Sequence, residues 1–198
     1  MAILSIFFLR WPTAGAKARR NFWMATLTLS ALFATRAAAQ AEFNEYQLKA
    51  VFLFNFAQFV EWPEKAFAGA DSPLVIGVLG ADPFGPVLDE TVRDERIGGR
   101  KLEIHRYRRV EDVGICQILF ISKSESSHLE AILAALKERS VLTVGDADRA
   151  ARRGVMIQFL TEKKRVRLRI NLDAAKLAGL TISSKLLRPT EIVTTEKD

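Results

Sequence analysis

The segment from Cys116 to Ser122 constrains the fold most, because four consecutive apolar residues, Ile118 to Ile121, stand at its centre. A run of this length is typical of a strand, and the lack of polar alternation indicates that both faces of that strand are covered. Strands of this kind occur in parallel sheets that carry helices on both sides. The segment therefore predicts a central strand in a layered α/β domain.

The preceding part of the chain alternates between helix and strand patterns. Dense apolar residues predict a first helix over Tyr46–Val60 that stops at Trp62-Pro63, and a β-branched run predicts a strand over Leu74–Leu79. Asp82-Pro83 is typical of an N-cap followed by a first helical residue, so a second helix is expected to open there and run towards Arg93.

The same two periodicities continue after this unit. They predict a strand with one solvent-facing side over Arg100–Tyr107, a helix over Ser126–Arg139 and a strand over Val141–Val144. An order of strand, helix, strand, strand, helix, strand favours the α/β class. We therefore expect a single layered domain with a largely parallel central sheet flanked by helices.

The last third of the chain changes its pattern. Two strand-like runs, Val155–Thr161 and Arg165–Asn171, are separated by three polar residues and predict an antiparallel hairpin at the C-terminal side of the sheet. A short helix over Asp173–Ala178 follows, and Gly179 suits its C-cap. Beyond it we expect an apolar segment and then, from Pro189, a polar tail.

The N-terminal region predicts export. A basic lead is followed by an apolar stretch, Phe22 to Ala34, and then by small residues suited to a cleavage site near Ala39 to Ala41. We therefore divide the chain into a signal peptide, residues 1–41, and an exported domain, residues 42–198, which the resemblance given below implies to be periplasmic. An uncleaved N-terminal anchor is the alternative, since the lead is long for a signal peptide.

Charge argues against a nucleic-acid partner once this leader is set aside. The chain has 29 Lys and Arg residues against 23 Asp and Glu, and the leader holds five of the basic residues and no acid. The remaining domain thus carries 24 basic and 23 acidic residues and lacks the strong positive charge of nucleic-acid-binding domains. A domain of this length buries enough surface to fold without disulfides or metal.

Candidate catalytic and metal-binding residues are few. His105 and His128 are far apart and lack metal-ligand spacing, and the single cysteine, Cys116, is expected to be a packed core residue rather than a reactive thiol. Asp146 and Asp148 could form a carboxylate pair, although Gly145-Asp146 after a strand is more typical of a turn. We accordingly predict no catalytic residue, no metal site and no cofactor, and hence no enzyme.

A basic stripe is the surface feature that points to a protein partner. In the predicted strand Arg165–Asn171, every second residue projects from the same face. The basic residues on that face are Arg165, Arg167 and Arg169. A solvated face paired with Glu162 or other acids is one interpretation, and a contact surface for an acidic partner is the other. In the second case, residues of the following apolar segment would complete the surface: Ile182, Lys185, Leu186 and Leu187.

Several segments, taken in order, resemble the YfiR-like family of periplasmic regulators. They extend from about Tyr46 to Leu187: LKAVFLFNFAQFVEWP, VIGVLGADPFGPVL, GGRKLEI, CQILFIS, LTVGD, GVMIQFL and VRLRINLDAAKLAGLTISSKLL. The resemblance implies a repressor that binds the periplasmic domain of an inner-membrane diguanylate cyclase. It also implies homodimers and release by an OmpA-like outer-membrane lipoprotein. Some relatives accompany histidine kinases instead.

The sequence leaves two alternatives. The resemblance implies disulfide-linked redox control in the better-known relatives, whereas this chain has a lone Cys116. A function of another class, a periplasmic small-ligand-binding protein, is favoured by polar residues at predicted strand ends. Those residues are Asp82, Ser122 and Asp146.

Overall fold

A computed structural model describes residues 45–163, 165–188 and 190–195. The predicted signal peptide lies outside the described residues. The helices are α1 over residues 45–59, α2 (Pro86–Val92), α3 (Leu129–Ala135), α4 (Leu172–Leu177) and α5 (Ser184–Leu187). The strands are β1 (Val60–Glu61), β2 (Leu74–Leu79), β3 (Arg96–Ile97), β4 (Arg100–Tyr107), β5 (Ile118–Ile121), β6 (Leu142–Gly145), β7 (Ile157–Glu162), β8 (Arg165–Asn171), β9 (Thr181–Ile182) and β10 (Glu191–Val193).

Within the described residues, eight strands form one sheet in the order β10-β8-β7-β6-β5-β2-β4-β3. The central strands β4, β2, β5, β6 and β7 are parallel, whereas β7 and β8 form the expected antiparallel hairpin. Strands β1 and β9 pair separately, with Val60 opposite Ile182. The predicted α/β class, with a largely parallel sheet and a C-terminal hairpin, is confirmed.

Strand β5 is central and covered on both faces, as its apolar run predicts. Ile118 and Phe120 belong to one apolar cluster, which also contains α1 residues such as Phe56, whereas Leu119 and Ile121 belong to a second cluster with α3. Since successive side chains of a strand point to opposite faces, the two clusters occupy opposite sides of the sheet. Both layers of the core thus meet at this strand.

Gln117, which directly precedes β5, is fully buried and has its amide satisfied by backbone groups. Its Oε1 accepts from the Val75 N–H at 2.7 Å, and its Nε2 donates to the Ala66 carbonyl at 2.5 Å. The Trp62 indole donates to the Gln117 carbonyl at 3.0 Å. A buried amide with these bonds anchors the loop after α1 to the sheet.

Three boundary predictions are wrong. Helix α2 begins at Pro86, after Gly85 with a φ of +53°, and not at Asp82-Pro83. Asp82 instead accepts a hydrogen bond from the Phe84 N–H at 2.8 Å, which is the Asx-turn chemistry that competes with an N-cap.

The polar tail is the second correction. Residues Glu191–Val193 form β10, which runs parallel to β8 with Glu191 opposite Arg169. A strand of three residues carries too short a pattern to be recognised in sequence. The predicted helix over Ser126–Arg139 is also shorter than expected, because a 3-10 segment, Lys123–His128, precedes α3.

Candidate functional site

The carboxyl ends of the parallel strands β2, β5 and β6 meet at one edge of the sheet, and polar residues follow each of them. They are Ser122 after β5, Asp146 after β6 and, three residues beyond the end of β2, Asp82. In open parallel sheets, ligands bind at this edge, so these positions define the first candidate site. Gly145 permits the close approach of β6 to β5, because a Cβ there would lie 3.2 Å from the Ile121 carbonyl oxygen.

Asp146 forms a buried ion pair with Lys49 of α1. Lys49 Nζ lies 2.7 Å from Asp146 Oδ2, and the two side chains are only 1% and 2% exposed. The sequence signal for this pair is a lysine within the apolar pattern of α1, and no motif marks it. The pair links the first helix to the edge of the sheet.

Two further groups complete the polar cluster around Lys49. The Tyr46 hydroxyl donates to Asp146 Oδ2 at 2.8 Å, and Glu45 Oε1 lies 2.7 Å from Lys49 Nζ while accepting from the Thr161 hydroxyl at 2.8 Å. Burial opposes ionisation of Glu45, but the Lys49 ammonium and the Thr161 hydroxyl outweigh it and lower the pKa of that carboxyl. Glu45 is therefore ionised at neutral pH. The other oxygen of Asp146, Oδ1, is buried and without a hydrogen-bond partner among the described residues.

A cleft of about 180 Å³ lies beside this cluster. Glu45, Lys49 and Asp146 line it together with residues of β7, and two exposed residues, Lys123 and Asp148, stand among its lining groups. The arrangement brings together Asp146 and Asp148, which the sequence offered as a carboxylate pair. It does not include Asp82 or Ser122.

Asp82 and Ser122 have structural partners instead. Asp82 Oδ2 accepts from Arg106 Nε at 2.7 Å, and Asp89 contacts the same guanidinium. Hydrogen bonding from Arg106 lowers the pKa of Asp89 and raises that of the arginine itself. Ser122 caps the 3-10 segment that begins at Lys123. These residues stabilise the loops at the edge of the sheet.

The predicted basic stripe lies on β8, and the structure pairs two of its residues with acids. Arg169 Nη2 lies 2.8 Å from Glu191 Oε2, and Arg167 Nη1 lies 3.7 Å from Glu162 Oε2. Arg165 and Arg167 are exposed, whereas the Arg169 side chain is 18% exposed. The pairing with Glu162 matches the solvated-face interpretation, and a contact role remains a prediction.

The second half of the predicted surface does not join this stripe. Leu168 and Ile170 of β8 pack in the α1-side cluster together with Leu186, so the arginines project from the opposite face of the sheet. The remaining residues of the predicted surface are Ile182 and Leu187, which also pack against that cluster, and Lys185, which is exposed. The expectation of one patch is therefore corrected: the sheet separates its two halves.

Cys116 is a packed core residue, as predicted. It is 3% exposed, and its thiol donates to the Ile118 carbonyl at 2.8 Å. Burial raises the pKa of this thiol to about 12, so it stays protonated at neutral pH. The neutral thiol is a poor nucleophile.

Three further observations concern metal binding, the two histidines and membrane spanning. Across residues 45–163, 165–188 and 190–195, no three His, Cys, Asp or Glu side chains are grouped so that they could hold a metal ion. His105 and His128 each have an acid nearby, Glu103 and Glu125 respectively, and both are exposed. Every helix in the described part of the chain is too short or too polar to cross a membrane.

These observations define a layered α/β domain with a mostly parallel sheet and a polar cluster at its carboxyl edge. The chain belongs to the YfiR/HmsC-like family, whose model matches residues 46–189. The predicted relationship is thus confirmed, and the family is known as periplasmic regulators of diguanylate cyclases rather than as enzymes. No curated protein sequence matches the chain.

Proposed function

We propose that this protein is an exported regulator that binds the extracytoplasmic domain of an inner-membrane sensor and represses it. The sensor is a diguanylate cyclase, so the regulated output is cyclic-di-GMP. The observation that carries the proposal is the family match, which spans residues 46–189 and therefore nearly all of the described domain. A histidine kinase is the alternative target within the same class of function.

The basic face of β8 supports a protein contact. Arg165 and Arg167 are exposed on this face, and Arg167 has one acid, Glu162, at the long distance of 3.7 Å. Exposed guanidinium groups with loose pairing are available to carboxylates of a partner, and their planar donors match a carboxylate in bidentate geometry. We propose this face, rather than the separate Ile182–Leu187 segment, as the first part of the partner surface to test.

The proposal includes two further partners and a location. We expect the protein to be periplasmic after cleavage near Ala39 to Ala41, to form homodimers, and to be sequestered by an OmpA-like outer-membrane lipoprotein. N-terminal sequencing of periplasmic material should start near Gln40 or Glu42. Material that still begins at Met1 would contradict the cleaved form.

The decisive experiment is deletion of the gene with measurement of cyclic-di-GMP. Loss of a repressor should raise the cyclic-di-GMP level. The chain supplied in trans should return that level to the value of the parent strain. A version lacking residues 1–41 serves as the control, because it should fail to restore repression if the protein acts outside the cytoplasm. Unchanged cyclic-di-GMP and unchanged kinase output in the deletion strain would refute the proposal.

A second candidate function, binding of a small ligand, is favoured by the cleft beside Asp146. Clefts at the carboxyl edge of parallel sheets are common ligand sites. A neighbouring gene for a membrane cyclase or kinase would favour the regulator, and a transporter operon would favour a ligand carrier. The two functions are compatible if the ligand modulates the regulator.

A further inference from the structure

The outward face of helix α1, which the structure describes over residues 45–59, carries no charged side chain. The two charged residues of this helix, Glu45 and Lys49, pair with each other at 2.7 Å, and Lys49 also pairs with Asp146. The exposed residues of the helix are Gln47, Leu48, Val51 and Gln58. A surface helix usually places charged residues on the side away from the core. Because charged residues make up 26% of the chain, an outward face without any of them is unusual here.

The other helices differ from α1 in this respect. Each of the helices α2 to α5 exposes at least one charged side chain: Glu90, Glu130, Lys176 and Lys185. Depletion of charged residues together with enrichment of aromatic residues is typical of the centre of a protein–protein interface. Phe52 and Phe59, which are half-buried, flank the outward face of α1. The composition of α1 is therefore that of an interface.

The outward residues of α1 follow the spacing of a helix–helix contact. Leu48, Val51, Asn55 and Gln58 are separated by three, four and three positions, which is the heptad spacing of residues that face a second helix. We call these four residues the α1 seam. Leu48 is 45% exposed and Val51 is 44% exposed. Covering them removes apolar area from water, so the seam favours another helix as its occupant.

The chemistry of the α1 seam fits a second copy of this chain. In a two-fold interface the same patch meets itself, so any charge on the patch would face a like charge. The seam has no charge, and the amides of Asn55 and Gln58 carry both donors and an acceptor for the amides of an identical partner. An anionic membrane surface fits less well, because helices that bind it expose Lys or Arg, and the exposed residues of α1 include neither.

The apolar segment Ile182–Leu187 adjoins the seam. The Ser183 N–H donates to the Phe59 carbonyl at 2.9 Å, so this segment lies beside the last turn of α1. Ile182 and Leu187 are half-buried and pack against the α1-side cluster. Their remaining exposed surface enlarges the apolar area around the seam.

We propose that this protein forms a homodimer in which the α1 seams of two copies pack against each other across a two-fold axis. The inference rests on the proposed function in that a homodimer is part of it, and it assigns the interface of that dimer to α1. The basic face of β8 lies on the opposite side of the sheet, so it stays free for the sensor in such a dimer.

Sedimentation velocity on the purified protein tests the dimer. We expect the mass of two chains, with a Kd on the order of 10 µM or tighter. The mass of one chain at every concentration up to about 200 µM would overturn the proposal. The measurement uses no sensor, so its failure is distinguishable from failure of the proposed repression, which is read from cyclic-di-GMP in the deletion strain.

Charge variants at Val51 locate the interface. Val51 lies one residue from Phe52, the middle of α1, so it is close to its own copy whether the two helices are parallel or antiparallel. Val51→Asp and Val51→Lys should each weaken the dimer about tenfold or more, because like charges then face each other across the axis. An equimolar mixture of the two variants should recover a dimer, because opposite charges then meet.

Leu177→Asp is the matched control, since Leu177 is a leucine of α4 that is 88% exposed and lies outside the seam. It should dimerise as the parent does, and circular dichroism shows whether each variant is folded. Parental affinity of Val51→Asp, or an equal loss in Leu177→Asp, would contradict the assignment. If Val51→Asp fails to fold, Gln58→Glu replaces it as a nearly isosteric change at an exposed position, and unchanged dimerisation of that variant would overturn the proposal.

Discussion

Arg169 of β8 and Glu191 of β10 form an ion pair, with Nη2 and Oε2 2.8 Å apart, at the point where the two strands are in register. The pair joins the basic face to the last strand of the sheet. Arg169 is therefore already paired within the domain, whereas Arg165 and Arg167 are exposed. A variant that replaces Arg169 therefore also breaks this ion pair, so it needs a control that breaks the pair alone.

Replacing Arg167 and Arg169 together with Ala is expected to weaken binding to the periplasmic domain of the sensor. Buried interface arginines often contribute about 2 kcal/mol or more to binding, whereas solvated ones contribute almost nothing. Calorimetry on the folded variant measures the change. Glu191→Gln is the control, because it breaks the ion pair of Arg169 without removing either guanidinium. Equal affinity for the double variant and the parent would show that the arginines are solvated and do not contact the sensor.

Lys49→Met should destabilise the domain strongly. It leaves the Asp146 carboxylate buried without its cation, and breaking a buried pair in this way costs roughly 3–5 kcal/mol. Urea unfolding followed by circular dichroism gives the free energy. Lys101→Met, at an exposed lysine on β4, is the matched control and should change stability by less than about 0.5 kcal/mol. A loss of under 1 kcal/mol for Lys49→Met would show that the pair is dispensable.

The Cys116 thiol should be unreactive in the folded protein. Its burial and its pKa of about 12 keep it protonated and inaccessible, so Ellman's reagent should label it only after unfolding. Cys116→Ser is expected to cost on the order of 1 kcal/mol and to leave repression intact. Rapid labelling of the native chain, or loss of redox-dependent repression in the variant, would contradict this.

Gly77→Ala should destabilise the core, because a Cβ at this position would lie 2.8 Å from Leu119 Cδ1 and from Tyr107 Cε2. Overpacking of this kind typically costs about 1–3 kcal/mol. Thermal or urea unfolding measures the loss. Gly114→Ala is the control, since a Cβ there meets no atom within 4 Å. Equal stability of the two variants would mean that the apolar cluster on the α3 side of the sheet is loosely packed around Gly77.

Stability should fall below pH 4.5 in part through Glu45. Its pKa is lowered from 4.5 in the folded state, so its contribution is complete above that value and is lost as the pH drops through the folded pKa. Urea midpoints measured from pH 6 downward for the parent and for Glu45→Gln test this. The parent should lose more stability than the variant over the acid range, and parallel curves would show that Glu45 contributes nothing.

The sequence predicts the strands whose apolar periodicity extends over six or seven residues, and it predicts the glycine that ends α4. Leu74–Leu79 and Arg165–Asn171 are strands with the expected bounds, and Gly179 has the expected positive φ, +73°, after α4. The β10 strand was missed because three residues show no periodicity. The helix start at Asp82 was wrong because Asp before Pro suits both an N-cap and an Asx turn.

The polar cluster was harder to predict than the fold. Asp146 is recognisable in the sequence as a residue at a predicted strand end, but its partner Lys49 lies 97 residues away in the chain and belongs to no motif. The two halves of the expected partner surface are close in sequence, yet the strand's alternation places them on opposite sides of the sheet. In both cases sequence distance was a poor guide to distance in space.

The β1 and β9 pairing, with Val60 opposite Ile182, makes the beginning of the domain depend on its end. The chain emerges N-terminus first, both from the ribosome and on export across a membrane, so α1 and β1 wait for partners that emerge last. Closing loops of this length is slow compared with forming the local elements. The domain therefore completes its fold only after nearly the whole chain is available, and a chain truncated before residue 182 leaves its first strand without a partner.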